Sequence, residues 1–271
     1  MLNHVFSLKI NTGTEGSIKL SYQRLPQYIH LISNTTAALP TARWKMSDYY
    51  IKPQVADQFS VGYFRNFKQN TIEFSAELYY KNTANFPDYR SGQNLLLKDN
   101  IETALLQGNG RSYGLELYAK KKTGRYTGWA TYTYSRSVML INSPYAEDRN
   151  FTGKWYPVNF DRPHNLNLIV NYYLNRLVNF TANFTYSTGR PISLASDRFF
   201  FDGKFIPHFP NRNLDRIPDY HRLDVSINIE DSPNRTKRIV SQWNFSVYNL
   251  YNRRNPYSVF LKLKIHLFLK V

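Results

Sequence analysis

The chain has 271 residues, 42% of them hydrophobic and 16% aromatic, with no cysteine and a net charge of +16. The lack of cysteine excludes disulfide frameworks, Cys-type zinc sites and thiol nucleophiles; a mean hydropathy of −0.51, with no run of about 20 apolar residues, excludes a helical membrane protein. A basic balance suits nucleic acid, an anionic membrane surface or an acidic ligand, but the densest runs, Lys120-Lys121-Lys122 and Lys237-Arg238, fall in predicted turns and are read as solvated.

Along the chain, the opening MLNHVFSLKINTG has no basic start, long apolar core or small-residue cleavage site, so no signal peptide is read there. Period-2 alternation then predicts strands at 4–10, 17–24, 57–66 and 71–81. Over 71–80, Ile72, Phe74, Ala76, Leu78 and Tyr80 alternate with Glu73, Ser75 and Glu77. Strands follow at 111–120 and 125–136, the second setting Tyr126, Gly128, Ala130, Tyr132 and Tyr134 against Thr127, Trp129, Thr131, Thr133 and Ser135. At 163–174, Leu166, Leu168, Val170 and Tyr172 alternate with Asn165, Asn167 and Asn171; at 177–187, Val178, Phe180, Ala182, Phe184 and Tyr186 alternate with Asn179, Thr181, Asn183 and Thr185. Strands at 219–230 and 239–249 complete ten, and the tail from Ser258 is a candidate eleventh. No amphipathic helix with caps and no second domain is read, so 1–271 is taken as a single all-β antiparallel domain.

Alternation also fits a soluble sandwich, and the connections discriminate. Short links near 11–16, 66–70, 121–125, 174–177 and 231–238 take turns with long ones near 25–56, 82–110, 137–162 and 188–218. Each long link has about 25–32 residues, and compact soluble domains rarely hold one structureless loop of that length. Transmembrane barrels combine short periplasmic turns with long extracellular loops. A strand face carrying Asn165, Asn167 and Asn171, and another carrying Glu73 and Glu77, suits a water-filled interior. The opposite face holds Phe, Leu and Tyr, with Tyr63, Tyr80, Tyr113, Tyr134, Tyr172 and Tyr186 at strand ends, as membrane-interface girdles require. The expected lipid-facing set is Phe74, Leu78, Leu115, Leu117, Leu168, Val170, Phe180, Phe184, Val225 and Ile227; the expected interior set is Glu73, Glu77, Glu116, Thr131, Asn167, Thr181 and Asp224.

Five words occur in order at hairpin spacing: Gly110-Arg-Ser-Tyr-Gly-Leu-Glu116, Asp161-Arg-Pro-His164, Ser187-Thr-Gly-Arg-Pro191, Ile217-Pro-Asp-Tyr-His-Arg-Leu-Asp-Val225 and Val247-Tyr-Asn-Leu-Tyr-Asn-Arg-Arg-Asn-Pro256. Together, over roughly 50–258, they resemble the C-terminal barrel of TonB-dependent outer-membrane receptors of the Bacteroidetes style. That resemblance implies a 22-stranded barrel filled by a plug domain through which TonB acts, and uptake of an iron-siderophore, cobalamin, haem or a glycan. It implies the lipid bilayer and lipopolysaccharide as surroundings, no cofactor and no nucleic acid. No plug, TonB-binding segment or signal peptide is read here, so the expectation is a partial barrel of about 10–11 strands, incomplete and inactive alone. The tail departs from the family: Leu261, Leu263, Ile265, Leu267, Leu269 and Val271 alternate with Lys262, Lys264, His266 and Lys270, which is read at 259–271 as an aberrant end of a truncated or frame-shifted product.

An enzyme reading finds no support in the sequence. The six histidines are scattered, no phosphate loop or nucleophile elbow occurs, and Glu73 and Glu77 lie about 13–14 Å apart along one strand face, too far for a glycosidase pair. Candidate ligand-facing residues are Arg136, Arg162, Arg190, Arg198 and Arg212, in or beside the long links, and Trp129. Arginine forks suit carboxylate or phosphate, and ordinary loop solvation is the alternative for each. Two other functions are weighed: a self-contained smaller porin or adhesin barrel, and a soluble nucleic-acid-binding β protein, which would need a basic groove beside stacking aromatics.

Overall fold

The computed structural model describes residues 3–32, 43–90, 100–143, 145, 153–194, 197–208, 211–231 and 241–256. In chain order its strands are β1 (His4–Asn11), β2 (Gly16–Gln27), β3 (Ile29–Ile32), β4 (Arg43–Met46), β5 (Gln54–Phe67), β6 (Ile72–Tyr89), β7 (Leu105–Lys121), β8 (Tyr126–Leu140), β9 (Tyr156–Pro157), β10 (His164–Tyr173), β11 (Val178–Ser187), β12 (Pro191–Ile192), β13 (Asp197–Phe201), β14 (Lys204–His208), β15 (Asp215–Arg216), β16 (Tyr220–Glu230) and β17 (Gln242–Val247). Ten of them form one antiparallel wall in the order β1-β2-β5-β6-β7-β8-β10-β11-β16-β17, with β9 added beside β8. Among the described residues the wall is open, since β1 and β17 are not paired with each other. The segment 258–271 lies outside the described residues, and so does most of the predicted link at 231–238.

Each wall strand pairs with the next wall strand in chain order, and the reversals β1–β2, β5–β6, β7–β8 and β10–β11 are tight turns. Gly124 turns β7 into β8 at φ 103°, a left-handed conformation that favours glycine. At the β10–β11 turn, the Asn175 side chain accepts the amides of Leu177 and Val178 at 2.8 Å each, a local bond that fixes the reversal. The segments predicted as strands at 71–81 and 111–120 pair with each other, as do those at 125–136 and 163–174.

The register carries the two faces across the whole wall. Leu20, Val61, Leu78, Leu115 and Tyr134 share one rung, as do Ala130, Leu168, Phe184 and Leu223. Gly62, Glu77, Glu116 and Thr133 share a rung of the other face, as do Thr131, Asn167 and Thr185. The two expected residue sets therefore occupy opposite faces. One departure is Ile169, which pairs with Trp129 and Asn183 and so stands on the polar face. The apolar face is bare: Phe6 is 66% exposed, Leu78 54%, Phe180 42% and Phe245 57%. Monomeric soluble proteins rarely expose a contiguous apolar surface of this extent. The polar face is knitted by side chains, among them Asn167 to Thr131 at 3.4 Å, Thr181 to Asn171 at 2.8 Å and Asn228 to Asn179 at 2.7 Å.

Several strands run beyond their predicted ends, β6, β7 and β8 by four residues or more. β6 reaches Tyr89 and β7 begins at Leu105, so the predicted 82–110 link shrinks to 90–104. The cause is a β-bulge: Thr83 opposes Gly110, but Phe86 opposes Gly108, with Asn85 at φ 57°. The extra residue breaks the period of two while keeping Thr83, Phe86 and Asp88 on the polar face. β8 similarly continues to Leu140. The long links contain structure that their polarity hid: a β3–β4 hairpin, a β13–β14 hairpin, a β12–β15 pairing and a 3₁₀ turn at Ile101–Ala104. Two apolar clusters lie beneath these segments. Ile32, Ile51, Ile101, Ala104 and Leu105 form one with Tyr89. Met139, Ile141, Tyr156 and Val158 form the other with Phe86 and Leu106.

Candidate functional site

Where the long links meet the polar face, they enclose a cavity of about 720 Å³. Its wall side comes from β5 to β8 (Gln58, Tyr79, Lys81, Thr83, Phe86, Ser112, Ser137), and its cover from His30, Val158, Phe160 and Asn213. This size falls within the roughly 300–1,000 Å³ of small-molecule sites. Beneath it β7 presents glycines. A Cβ on Gly114 would stand 2.9 Å from the Tyr79 ring, and one on Gly110 would stand 2.9 Å from Phe86. The two rings therefore lie over bare backbone of the neighbouring strand. Phe160 approaches Phe86 with ring centroids 6.4 Å apart.

Carboxylates anchor the rim, Asp161 buried and Asp88 and Asp219 partly so. The bulge turns Asp88 to the polar face, where it pairs with Arg212 at 2.6 Å and accepts the Tyr156 hydroxyl at 2.6 Å. The Arg212 guanidinium also lies 3.6 Å from the Tyr89 ring centroid. Asp161, fully buried, accepts the Ser137 amide at 2.7 Å, pairs with Arg216 and has Arg136 at 3.7 Å. Asp219 accepts the Tyr186 hydroxyl at 2.6 Å and the Gly189 amide at 2.9 Å, and these bonds hold its carboxyl below the usual range. His30 is buried between Ser47 (2.9 Å from Nε2) and Gln54, whose amide lies 3.0 Å from Nδ1; burial lowers its pKa and this hydrogen-bond set fits the neutral ring. A second ionic knot ties β4 to the 3₁₀ turn: Lys45 pairs with Asp48 at 2.6 Å and with Glu102.

The sequence-derived candidates separate on this frame. Arg212 is buried on Asp88. Arg162 sits above β10, donates to Ser187 at 3.3 Å, and has its pKa lowered by burial and by neighbouring Arg190. Arg190 is half-buried, its carbonyl accepting the Ile217 amide at 3.1 Å. Arg136 belongs to the apolar-face row of Tyr132 and Tyr134 and turns to Asp161. Arg198 is exposed on β13, facing Pro207 across that hairpin. Trp129 is on the polar face but near the turn end of β8, about 23 Å along the strand from Arg136. The acidic partners Asp88, Asp161 and Asp219 were not among the candidates, nor were Gln58, Tyr79, Lys81 and Phe86. Asp161 and Asp219 stand inside two of the five words, whereas Asp88 and Phe86 fell within a stretch read as loop. Among the described residues no group of three or more His, Asp or Glu is placed to hold a metal.

A family model described as TonB dependent receptor-like, beta-barrel, matches residues 9–252. The chain belongs to the TonB-dependent receptor β-barrel family. Among solved structures, the ferric-catecholate import receptor Fiu of Escherichia coli K12 is 15% identical with a TM-score of 0.62, the match covering 96% of this chain and 32% of that one. The siderophore receptor PiuA of Acinetobacter baumannii is 17% identical with a TM-score of 0.61, covering 94% and 32%. The ferripyoverdine receptor of the Pseudomonas aeruginosa outer membrane is 10% identical with a TM-score of 0.60, covering 92% and 29%. At these identities the likeness is one of fold, and the chain spans about a third of each neighbour's length. A search of curated proteins gives no match.

For this member of the receptor family, the later words act as corner fasteners, whereas Gly110–Glu116 lies within β7. Ser187-Thr-Gly-Arg-Pro191 meets Ile217-Pro-Asp219 through the Gly189–Asp219 bond, and a Cβ on Gly189 would fall 1.7 Å from the Ile217 carbonyl oxygen. After β17, Asn249 gives its amide to Asp224 at 2.8 Å, and Asn255 exchanges bonds with the His221 backbone at 3.0 and 3.2 Å. Side chains thus continue the β16 edge where the ladder stops.

Proposed function

We propose that the chain forms part of the barrel wall of an outer-membrane receptor that imports a ligand entering through the loop-end cavity. The observation that supports this most is a two-faced wall, apolar outside and polar inside, matched to the family from residue 9 to 252, with a cavity of about 720 Å³ at its loop end. Lipid and lipopolysaccharide would contact the apolar face, and TonB would supply energy through a plug domain within the closed barrel, as the family resemblance implies. A receptor of this kind binds and gates; the cavity supplies recognition rather than bond-making.

The test compares cells with and without the receptor gene for uptake of labelled iron chelates, cyanocobalamin, haemin and a mixed glycan hydrolysate, each with and without a proton uncoupler. The expected result is a deficit for one ligand class that appears in energised cells and vanishes with the uncoupler. Equal, uncoupler-insensitive uptake of all four would contradict the proposal and favour a passive porin.

A further inference from the structure

The cavity wall points to a ligand class. Gln58, Lys81, Ser112 and Ser137 occupy one rung across β5, β6, β7 and β8. Directly opposed residues have Cβ atoms about 4.5–5.5 Å apart, so an amide, an ammonium and two hydroxyls stand side by side. The two hydroxyls bond each other at 3.0 Å. The side chains of Gln58 and Lys81 make no hydrogen bond or ion pair with any described residue. Beside this rung lie Tyr79 and Phe86, backed by Gly114 and Gly110, with Phe160 facing them, 62% exposed.

Apart from Lys81, the titratable groups lining the cavity have partners, and the Glu77–Glu116 rung next to Tyr79 on the same face adds negative charge. Asp88 is neutralised by Arg212. His30 is bonded at both ring nitrogens in a way that fits the neutral ring. A triply anionic iron chelate would therefore meet one uncommitted cation. Aromatic faces next to amide and hydroxyl groups instead suit a pyranose ring, whose C–H edge packs on the ring face while its hydroxyls bond the polar rung. An unpaired ammonium beside that rung suits one carboxylate.

We infer that this cavity binds an oligosaccharide carrying a carboxylate, with Tyr79 and Phe86 stacking a sugar ring, Gln58 bonding its hydroxyls and Lys81 pairing with its acid group. The inference rests on the import reading above and adds the ligand class to it. Binding is measured by calorimetry on the intact receptor in detergent, with tetragalacturonate, sialyllactose and a hyaluronan tetrasaccharide as acidic probes, maltotetraose as a neutral probe and ferric tris-catecholate as an anionic chelate. At least one acidic probe should bind about tenfold or more tightly than maltotetraose, the scale of one charge-assisted bond. Lys81→Gln should reduce that preference about tenfold, to the level of maltotetraose. Gly110→Ala, whose new methyl displaces the Phe86 ring, should weaken both sugars with strand content and heat-modifiable gel migration retained. Binding of the ferric catecholate with none of the acidic probes, or an unchanged preference in Lys81→Gln, overturns the inference. Either result leaves energised import standing, since the uptake comparison decides that separately.

Discussion

Asp88, Asp161 and Asp219 each gather backbone amides, hydroxyls or arginines from elements distant in sequence, and the rim depends on them. The Asp88–Arg212 pair joins β6 to the link before β15, with side chains 9% and 8% exposed. Removing one partner of a buried pair strands a charge and costs about 3–5 kcal/mol, more than replacing both. Asp88→Asn should therefore speed proteolytic cleavage within 188–218 in the folded receptor, and Asp88→Asn with Arg212→Met should recover part of the loss. Unchanged cleavage in the single variant would show that the pair does not hold the link. At the Gly189 corner, alanine would press its methyl onto the Ile217 oxygen at 1.7 Å. Overpacking of this kind costs about 1–3 kcal/mol, so Gly189→Ala should lower the urea midpoint of refolded protein, while Ala at exposed Arg198 should leave it in place. Arginines were visible in the sequence as candidate contacts, but their partners were not. Which acid an arginine meets is decided by pairs up to 124 residues apart, such as Arg212 with Asp88, and no local pattern encodes such a pair.

At the scale of elements, the wall strands were legible because a sheet with one apolar and one polar face must alternate, and a one-residue slip would exchange its faces. Legibility failed where alternation is interrupted. The bulge at 84–85 ended the reading of β6 too early, and Gly108 and Gly110 concealed the start of β7. The loop-end hairpins escaped because short strands in polar links lack a buried face to impose a period. One of them, β3–β4, is fastened to the 3₁₀ turn by Lys45, Asp48 and Glu102, and this junction should respond to pH. The Lys45 pKa is raised by its bonds to Asp48 and Glu102, so its contribution is complete below the ordinary lysine value of 10.5 and is lost as pH rises past the raised one. The pKa values of Asp48 and Glu102 are depressed, chiefly by Lys45, so their contribution is present above their ordinary values of 3.8 and 4.5 and is lost as pH falls through the depressed ones. Amide hydrogen exchange at 43–48 and 101–104, corrected for intrinsic rates, should show a plateau of protection between pH 5 and 10 that Lys45→Met removes. Protection that is indifferent to pH and to the substitution would rule the junction out. These groups are only partly buried, their side chains 21–34% exposed, so the effect is local and weakened by salt.

The whole molecule is a wall whose hydrophobic surface lies outside rather than in a core. In hydrocarbon every backbone polar group must be paired, at several kcal/mol for each failure. The edges of β1 and β17 therefore require strand partners within a membrane, and the wall fits as an arc of a larger closed barrel in the proposed receptor. An apolar exterior and a polar interior in such a barrel account for the bare rows of Leu, Phe and Tyr and the Asn and Thr ladder behind them. The central claim, that the apolar row meets lipid and the polar row meets water, is tested most directly by single cysteines placed in this cysteine-free chain in outer membranes, at Leu168, Phe184 and Val225 and at Asn167, Thr185 and Asp224. The account predicts that a lipid-soluble maleimide labels the first three and a water-soluble one labels the second three. The reverse pattern, or water-soluble labelling of all six, would contradict it.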